Sequence, residues 1–280
     1  MKILDVHDHS RDAAGMLYVY PVLSRRAGGV SVGINLNVNN ACNWGCIYCQ
    51  VPDLVRGGPP PVDHERLENE LRTLLTLIAS GNFMKEHVPP EFCSVKDIAF
   101  SGNGEPTSSP DFPTAVQSVI KVMSEFELVQ QTKLRLITNG SLMHRDSAQR
   151  GIELIGKAGG EVWFKMDRAT KEGMRKINGV SMDPEKTREY LHLCCKLAPT
   201  WIQTCCFLYD GQAMPQEEMS AYLDMLYSVR EKIKGVLLYG LARPSMQAEA
   251  FRLSRLSETA CFALAEQISL LGIKEIMVYP

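Results

Sequence analysis

Seven short runs rich in β-branched and aromatic residues recur along the chain, each followed or preceded by a longer stretch of helical periodicity. They lie at 31–38, 95–100, 133–138, 161–166, 200–209, 235–241 and 273–279. Strands at this rhythm build a parallel sheet, because each parallel partner needs a crossover of a dozen or more residues. The crossovers are predicted as helices over 62–80, 113–126, 145–159, 215–233 and 258–272. In the first of these, Leu67, Leu71, Leu74, Leu75 and Ile78 form one apolar face. Six or seven strand–helix units without a change of rhythm predict an α/β fold, a complete or partial barrel. An open doubly wound sheet is the rival. No repeat, low-complexity tract or long linker interrupts the pattern. Residues 1–30 form no obvious unit and are expected to pack on the barrel as an extension, leaving 31–280 as the barrel with a C-terminal strand.

With 280 residues, 45% of them hydrophobic and 22% charged, the chain is long enough to bury a large core and has an ordinary soluble composition. A formal net charge of -2 gives no overall field toward nucleic acid or anionic membrane. Charge and histidine arrive too early for a signal peptide, and no apolar run reaches the ~20 residues that span a bilayer. A cytoplasmic location is expected. Nine cysteines in a reducing compartment do not form a disulfide framework.

In either sheet architecture ligands gather where strands end and the following loops begin. The segments with chemical character all sit there: a cysteine run after the first strand, SGNGEPT after the second, TNGS after the third, DRAT after the fourth and ARPS after the sixth. The cysteine run places Cys42, Cys46 and Cys49 on one loop. Structural zinc sites are closed by four protein ligands, and no fourth Cys or His follows at pair spacing. A 4Fe–4S cluster held by three thiolates differs, since its fourth iron stays open to another molecule. Zinc and plain loop cysteines remain the alternatives.

With Tyr48 just before the last cysteine, this spacing resembles the radical S-adenosylmethionine (radical SAM) enzymes. The resemblance covers about residues 31 to 245. It implies a partial (β/α)6 barrel, a 4Fe–4S cluster on Cys42, Cys46 and Cys49, and S-adenosylmethionine on the open iron. It also implies reductive cleavage of S-adenosylmethionine to a 5′-deoxyadenosyl radical that abstracts hydrogen from a substrate, fed by a reducing donor such as flavodoxin or ferredoxin.

SGNGEPT alone reads as a tight, glycine-permitted strand–helix turn that brings backbone close to a ligand. Beside the cysteine loop it resembles the Gly-Gly-Glu motif of that family, with Gly102 in the turn and Asn103, Gly104 and Glu105 in the three places; Asn103 departs from the commoner glycine. Backbone there is expected to receive the cofactor ammonium. Thr138 and Asn139 end the third strand, either as a simple left-handed turn or as polar lining near the cofactor. Lys165 and Asp167 share one strand face, where the lysine is expected to pair with the cofactor carboxylate and the aspartate to accept from ribose. Their alternative is a surface ion pair of little worth. Arg243 precedes a proline and suits a carboxylate or phosphate, or else a rim salt bridge.

The remaining cysteines are expected to fill core, because neighbours such as Cys205 and Cys206 face opposite ways on a strand. An auxiliary cluster using Cys194, Cys195, Cys205 or Cys206 is the lesser alternative. His7-Asp8-His9 reads as a solvated or capped turn. The segments SRRAGGVSVGINL, CIYCQV, SGNGEPT, LITNGSL, FKMD, INGV and YGLARP further resemble the subgroup of tRNA wyosine-synthesising enzymes and their bacterial relatives. Against tRNA stand the net charge and the absence of a basic arm, whereas Arg168, Lys171, Arg175 and Lys176 fall at helical spacing beside the expected mouth. Three readings follow: radical chemistry on a small molecule or peptide, the same chemistry on a tRNA base, or a non-catalytic iron–sulfur or zinc protein.

Overall fold

The computed structural model describes residues 3–5, 14–24, 26–129 and 131–280; His7-Asp8-His9 lies outside them. Labelled in chain order, the strands are β1 (Val19–Ser24), β2 (Gly29–Ile34), β3 (Ala41–Cys42), β4 (Val55–Arg56), β5 (Val95–Phe100), β6 (Lys133–Thr138), β7 (Glu161–Lys165), β8 (Thr200–Tyr209), β9 (Gly235–Gly240), β10 (Leu253–Arg255) and β11 (Ile276–Tyr279). The helices are α1 (His64–Ala79), α2 (Asn82–His87), α3 (Phe112–Glu125), α4 (Asp146–Lys157), α5 (Lys171–Asn178), α6 (Pro184–Leu197), α7 (Gln216–Val229) and α8 (Glu258–Ser269). The main sheet runs β1-β2-β5-β6-β7-β8-β9-β11, parallel throughout from β2 onward. β1 joins β2 antiparallel, and β10 adds antiparallel to β8. The molecule is an α/β half-barrel with a curled parallel sheet.

Strand parity separates the barrel from its doubly wound rival. Ile98, Phe100, Leu134, Leu136, Val162, Phe164, Ile202, Val236 and Leu238 enter the large apolar core with helix residues such as Leu71, Val119 and Ile152. Their neighbours in the odd positions, Asp97, Ala99, Arg135, Ile137, Trp163, Lys165 and Gln203, instead line a cavity on the concave face. Helices therefore cover one face of the sheet only. A doubly wound sheet would bury both under helices.

Strand β2 stops at Ile34, short of the expected residue 38, because Asn35 Oδ1 accepts from the backbone N–H of Asn37 and turns the chain. Before it, β1 supplies an element that the sequence pattern did not reveal. Tyr20, Val22 and Ser24 alternate inward and wall the open side of the cavity. Arg26, in the β1–β2 turn, stacks on Trp163 at 5.4 Å and on Tyr239 at 4.9 Å. Its carbonyl accepts from Tyr279 Oη of β11 at 3.0 Å, so the two edges of the curled sheet meet at this turn. Helix α6 was also unassigned from sequence; it buries only Thr187, Leu191 and Cys194, a thin stripe. No helix among the described residues is long and apolar enough to cross a membrane.

Candidate functional site

The strand ends and their loops enclose a cavity of about 290 Å³. β3 and β4 pinch together the two ends of a loop that carries Cys42, Cys46 and Cys49, and all three thiols line the cavity. Three other segments hold this loop. From α5, the carbonyls of Asn178 and Ile177 accept from Gly45 and Ile47, each at 2.9 Å. From the end of β9, Ser245 Oγ donates to Ile47 O at 2.7 Å, Met246 N to Cys49 O at 2.9 Å and Gln247 Nε2 to Val51 O at 2.9 Å. From the end of β6, Asn139 Nδ2 donates to Asn43 Oδ1 at 2.9 Å, while Asn43 Nδ2 reaches Ser141 Oγ at 2.8 Å. Arg56 closes the loop on itself, donating to Asn43 O and Gly179 O.

Two thiols accept weak hydrogen bonds: Cys42 from Trp44 N at 3.4 Å and Cys46 from Asn178 Nδ2 at 3.3 Å. Burial pushes the Cys42 thiol up to about 11. Burial and then the charge of Asp167 push Cys46 up to about 12. Both therefore stay protonated near neutrality until a bound cation displaces the protons. Among the described residues no three Cys, His, Asp or Glu side chains gather around one ion-sized point. A cluster asks less convergence than one zinc ion, because each thiolate meets a different iron. Three half-buried thiols on one braced loop fit that group.

Facing the thiols is the turn after β5. Gly102 has φ +143°, and a Cβ there would stand 2.3 Å from Asn35 Oδ1. A Cβ on Gly104 would stand 2.1 Å from the Ala41 carbonyl oxygen. Both glycines are thus required for the turn to press against the cysteine loop. Asn103 is fixed by Asn35 Oδ1 on its N–H and by its Nδ2 on Asn40 Oδ1, while its own Oδ1 has no partner among the described residues. Glu105 is 3% exposed and accepts from Thr107 N, Thr107 Oγ1, Thr138 Oγ1 and Asn139 N at 2.6–3.1 Å. Burial raises its pKa, against these donors.

Of the residues singled out from sequence, Tyr48, Gly102, Asn103, Gly104, Glu105, Asn139, Lys165, Arg243 and the three cysteines line the cavity. Thr138 and Asp167 do not. Thr138 is buried, with its hydroxyl on Glu105. Asp167, expected to meet a ribose, gives one oxygen to Tyr48 Oη and Asn178 Nδ2 and the other to the N–H of Cys205. It braces the cysteine loop instead. Asn139 is likewise engaged, since its Oδ1 accepts from Ser141 N and Oγ. Lys165 Nζ donates to Tyr239 Oη at 2.7 Å and lies 4.9 Å from the Tyr48 ring centre. Burial opposes its charge, but Tyr239 and the carboxylate of Asp167 outweigh burial and keep it protonated. Cys205 lines the cavity while Cys206 joins the core, as opposite strand faces require.

Sequence reasoning passed over Ser245 and Gln247, which anchor the loop, and Gln203, Trp163 and Arg135, which build the cavity floor. Arg135 donates to Asp97 and to Glu161, and Ser31, Trp163 and Trp201 complete this network. A glutamine and a charged residue inside strands otherwise buried on both faces were the available signal.

No protein-family model matches the chain. Among curated proteins it is similar to the GTPase Obg of Brachyspira hyodysenteriae, 25% identical over 125 residues, which is 45% of this chain and 16% of that protein. The segment GIELIGKA (151–158) has the spacing of a phosphate-binding loop, but Ala158 replaces the required hydroxyl and the stretch lies mostly inside α4. Among solved structures, a radical SAM methyltransferase from Sphaerobacter thermophilus aligns with TM-score 0.55 and 12% identity over 93% of this chain and 69% of that one. The FeFe-hydrogenase maturase HydG from Carboxydothermus hydrogenoformans aligns with TM-score 0.53 and 11% identity over 89% of this chain. The chain spans 53% of the HydG chain. At these identities the likeness is one of fold: this half-barrel is the one seen in radical SAM enzymes of known structure.

Proposed function

We propose that the protein is a radical SAM enzyme acting on a small molecule or a single peptide side chain. The observation that carries this reading is the meeting of three loop thiols and the Gly102–Glu105 turn in one cavity, at the C-terminal ends of parallel strands. Cys42, Cys46 and Cys49 would hold a 4Fe–4S cluster, and Asn103, Gly104, Glu105 and Arg243 would receive S-adenosylmethionine. When bound, that pair supplies one-electron cleavage of the sulfonium and a 5′-deoxyadenosyl radical able to take hydrogen from carbon, with flavodoxin or ferredoxin as the expected class of electron donor.

The chain itself contributes position and shelter. Asp167, Asn178 and Ser245 fix the cysteine loop before any ligand arrives, so little ordering remains at binding. Val51, Leu54, Ala99, Ile137 and Leu241 give the cavity apolar walls that exclude water. Its volume of about 290 Å³ lies at the small end for ligand pockets. The basic residues that favoured tRNA are partly committed: Arg168 is buried with its guanidinium on Asp167 O, and Arg175 pairs with Glu172. A gel-shift titration at low salt is therefore expected to show no retention of tRNA.

The direct test uses anaerobically reconstituted protein, dithionite and S-adenosylmethionine, with chromatographic analysis of products. Formation of 5′-deoxyadenosine is expected. Iron-loaded protein that forms none overturns the reading.

A further inference from the structure

Lys165 closes β7, and Gln203 stands directly opposite it on β8, both on the concave face. Gln203 is 1% exposed, yet its Nε2 has no hydrogen-bond partner among the described residues. Buried amide donors are rarely left so, and such a vacancy marks a place for an acceptor. Beside it, Lys165 Nζ has three donors and spends one on Tyr239 Oη at 2.7 Å. Among the described residues it forms no ion pair.

The acidic groups around it are already committed. Asp97 and Glu161 pair with Arg135. Asp167 serves Tyr48, Asn178 and the N–H of Cys205. Glu105 serves Thr107, Thr138 and Asn139. Lys165 thus keeps donors to spare with no carboxylate at ion-pair distance among the described residues, and an anion entering the cavity can take them. The neighbouring wall, Ala99, Ile137 and Trp163, is apolar or aromatic and gives the rest of such a molecule a dry surface.

We propose that Lys165, Gln203 and Tyr239 form a recognition site for the carboxylate of a small organic acid, the substrate of this enzyme. Lys165 takes one oxygen and the Gln203 amide the other, while Tyr239 fixes the ammonium. The assignment rests on the reading that the cysteine loop and the Gly102–Glu105 turn hold the cofactors, which leaves the wall formed by β7, β8 and β9 to substrate. It also moves Lys165 from the cofactor carboxylate expected from sequence to a substrate carboxylate. An amine-bearing substrate would meet Lys165 charge to charge.

Equilibrium dialysis of the reconstituted protein tests this with butyrate, succinate and benzoate, their amides, the matching amines, and inorganic phosphate. At least one carboxylate is expected to be retained about tenfold better than its amide, the scale of one charge-assisted hydrogen bond. Lys165→Met is expected to erase that preference, and Gln203→Leu to weaken carboxylate retention about tenfold. Gln203→Glu supplies an internal anion to Lys165 and is expected to exclude carboxylates while keeping the fold, measured by far-ultraviolet circular dichroism. No retained carboxylate, a preference for phosphate or amines, or retention unchanged in Gln203→Leu and Gln203→Glu overturns the proposal. Cleavage of S-adenosylmethionine is measured on the same preparations. Loss of cleavage with carboxylate retention intact counts against the cofactor reading, and the converse counts against this site.

Discussion

Asp167 offers its two oxygens to three donors, one phenol, one amide and one backbone N–H, and each of those donors lies in or beside the cysteine loop. Removing an acceptor strands all three in a buried place, where each unmet group costs about 1–3 kcal/mol. Asp167→Ala is therefore expected to lower unfolding stability by about 3 kcal/mol and to reduce retained iron, read by denaturant titration and by metal analysis. A stable variant with full iron would remove the bracing role. Iron itself should follow the loop thiols. Cys46→Ala is expected to lose most bound iron while the circular dichroism spectrum is unchanged. Cys261→Ala, in the apolar core, is expected to keep its iron; loss there would revive an auxiliary cluster.

At the scale of elements, α1 and α3 are tied by charge. Glu68 accepts from Arg72 and from Lys121 across the helix pair, both at 2.8 Å, while Arg72 also reaches Glu125. Lys121 first, aided by Arg72, holds the Glu68 carboxyl down to about 2. A depressed carboxylate stabilises the fold above its usual value and loses that contribution as pH falls toward 2. Glu68→Gln is thus expected to cost about 1 kcal/mol at neutral pH and progressively less as pH falls toward 2, measured by thermal melts across that range. An equal cost at both ends would assign the effect to packing. The strands were legible because their runs are short, apolar and bounded by turn residues; β5, β6 and β8 end where the pattern ends. Less legible were β1, whose VYPVLS run contains a proline, and α6, whose buried stripe is thin. The site was legible where chemistry is rare, in three spaced cysteines and a glycine turn. Thr138 and Asp167 looked the same in sequence whether they faced a ligand or a loop. Only the fold's choice of hydrogen-bond partners decided that.

At the scale of the whole molecule, the two edges of the curled sheet meet, among the described residues, at the β1–β2 turn, with Arg26 across Trp163 and Tyr239 and its carbonyl on Tyr279. Tyr279→Phe removes one partly exposed hydrogen bond and is expected to cost about 1 kcal/mol. It should also raise hydrogen exchange in β1 and β11 before the central strands, since sheet edges open first. Uniform exchange across the sheet would show that this junction does not hold the edges. Everything functional depends on what the cysteine loop carries at the mouth of that closed half-barrel. Electron paramagnetic resonance of the reduced, oxygen-free protein, recorded before and after S-adenosylmethionine is added, reads this most directly. The account predicts a 4Fe–4S signal that shifts when the sulfonium compound reaches the open iron. A cluster signal indifferent to that addition, or no cluster signal in iron-loaded protein, would contradict it.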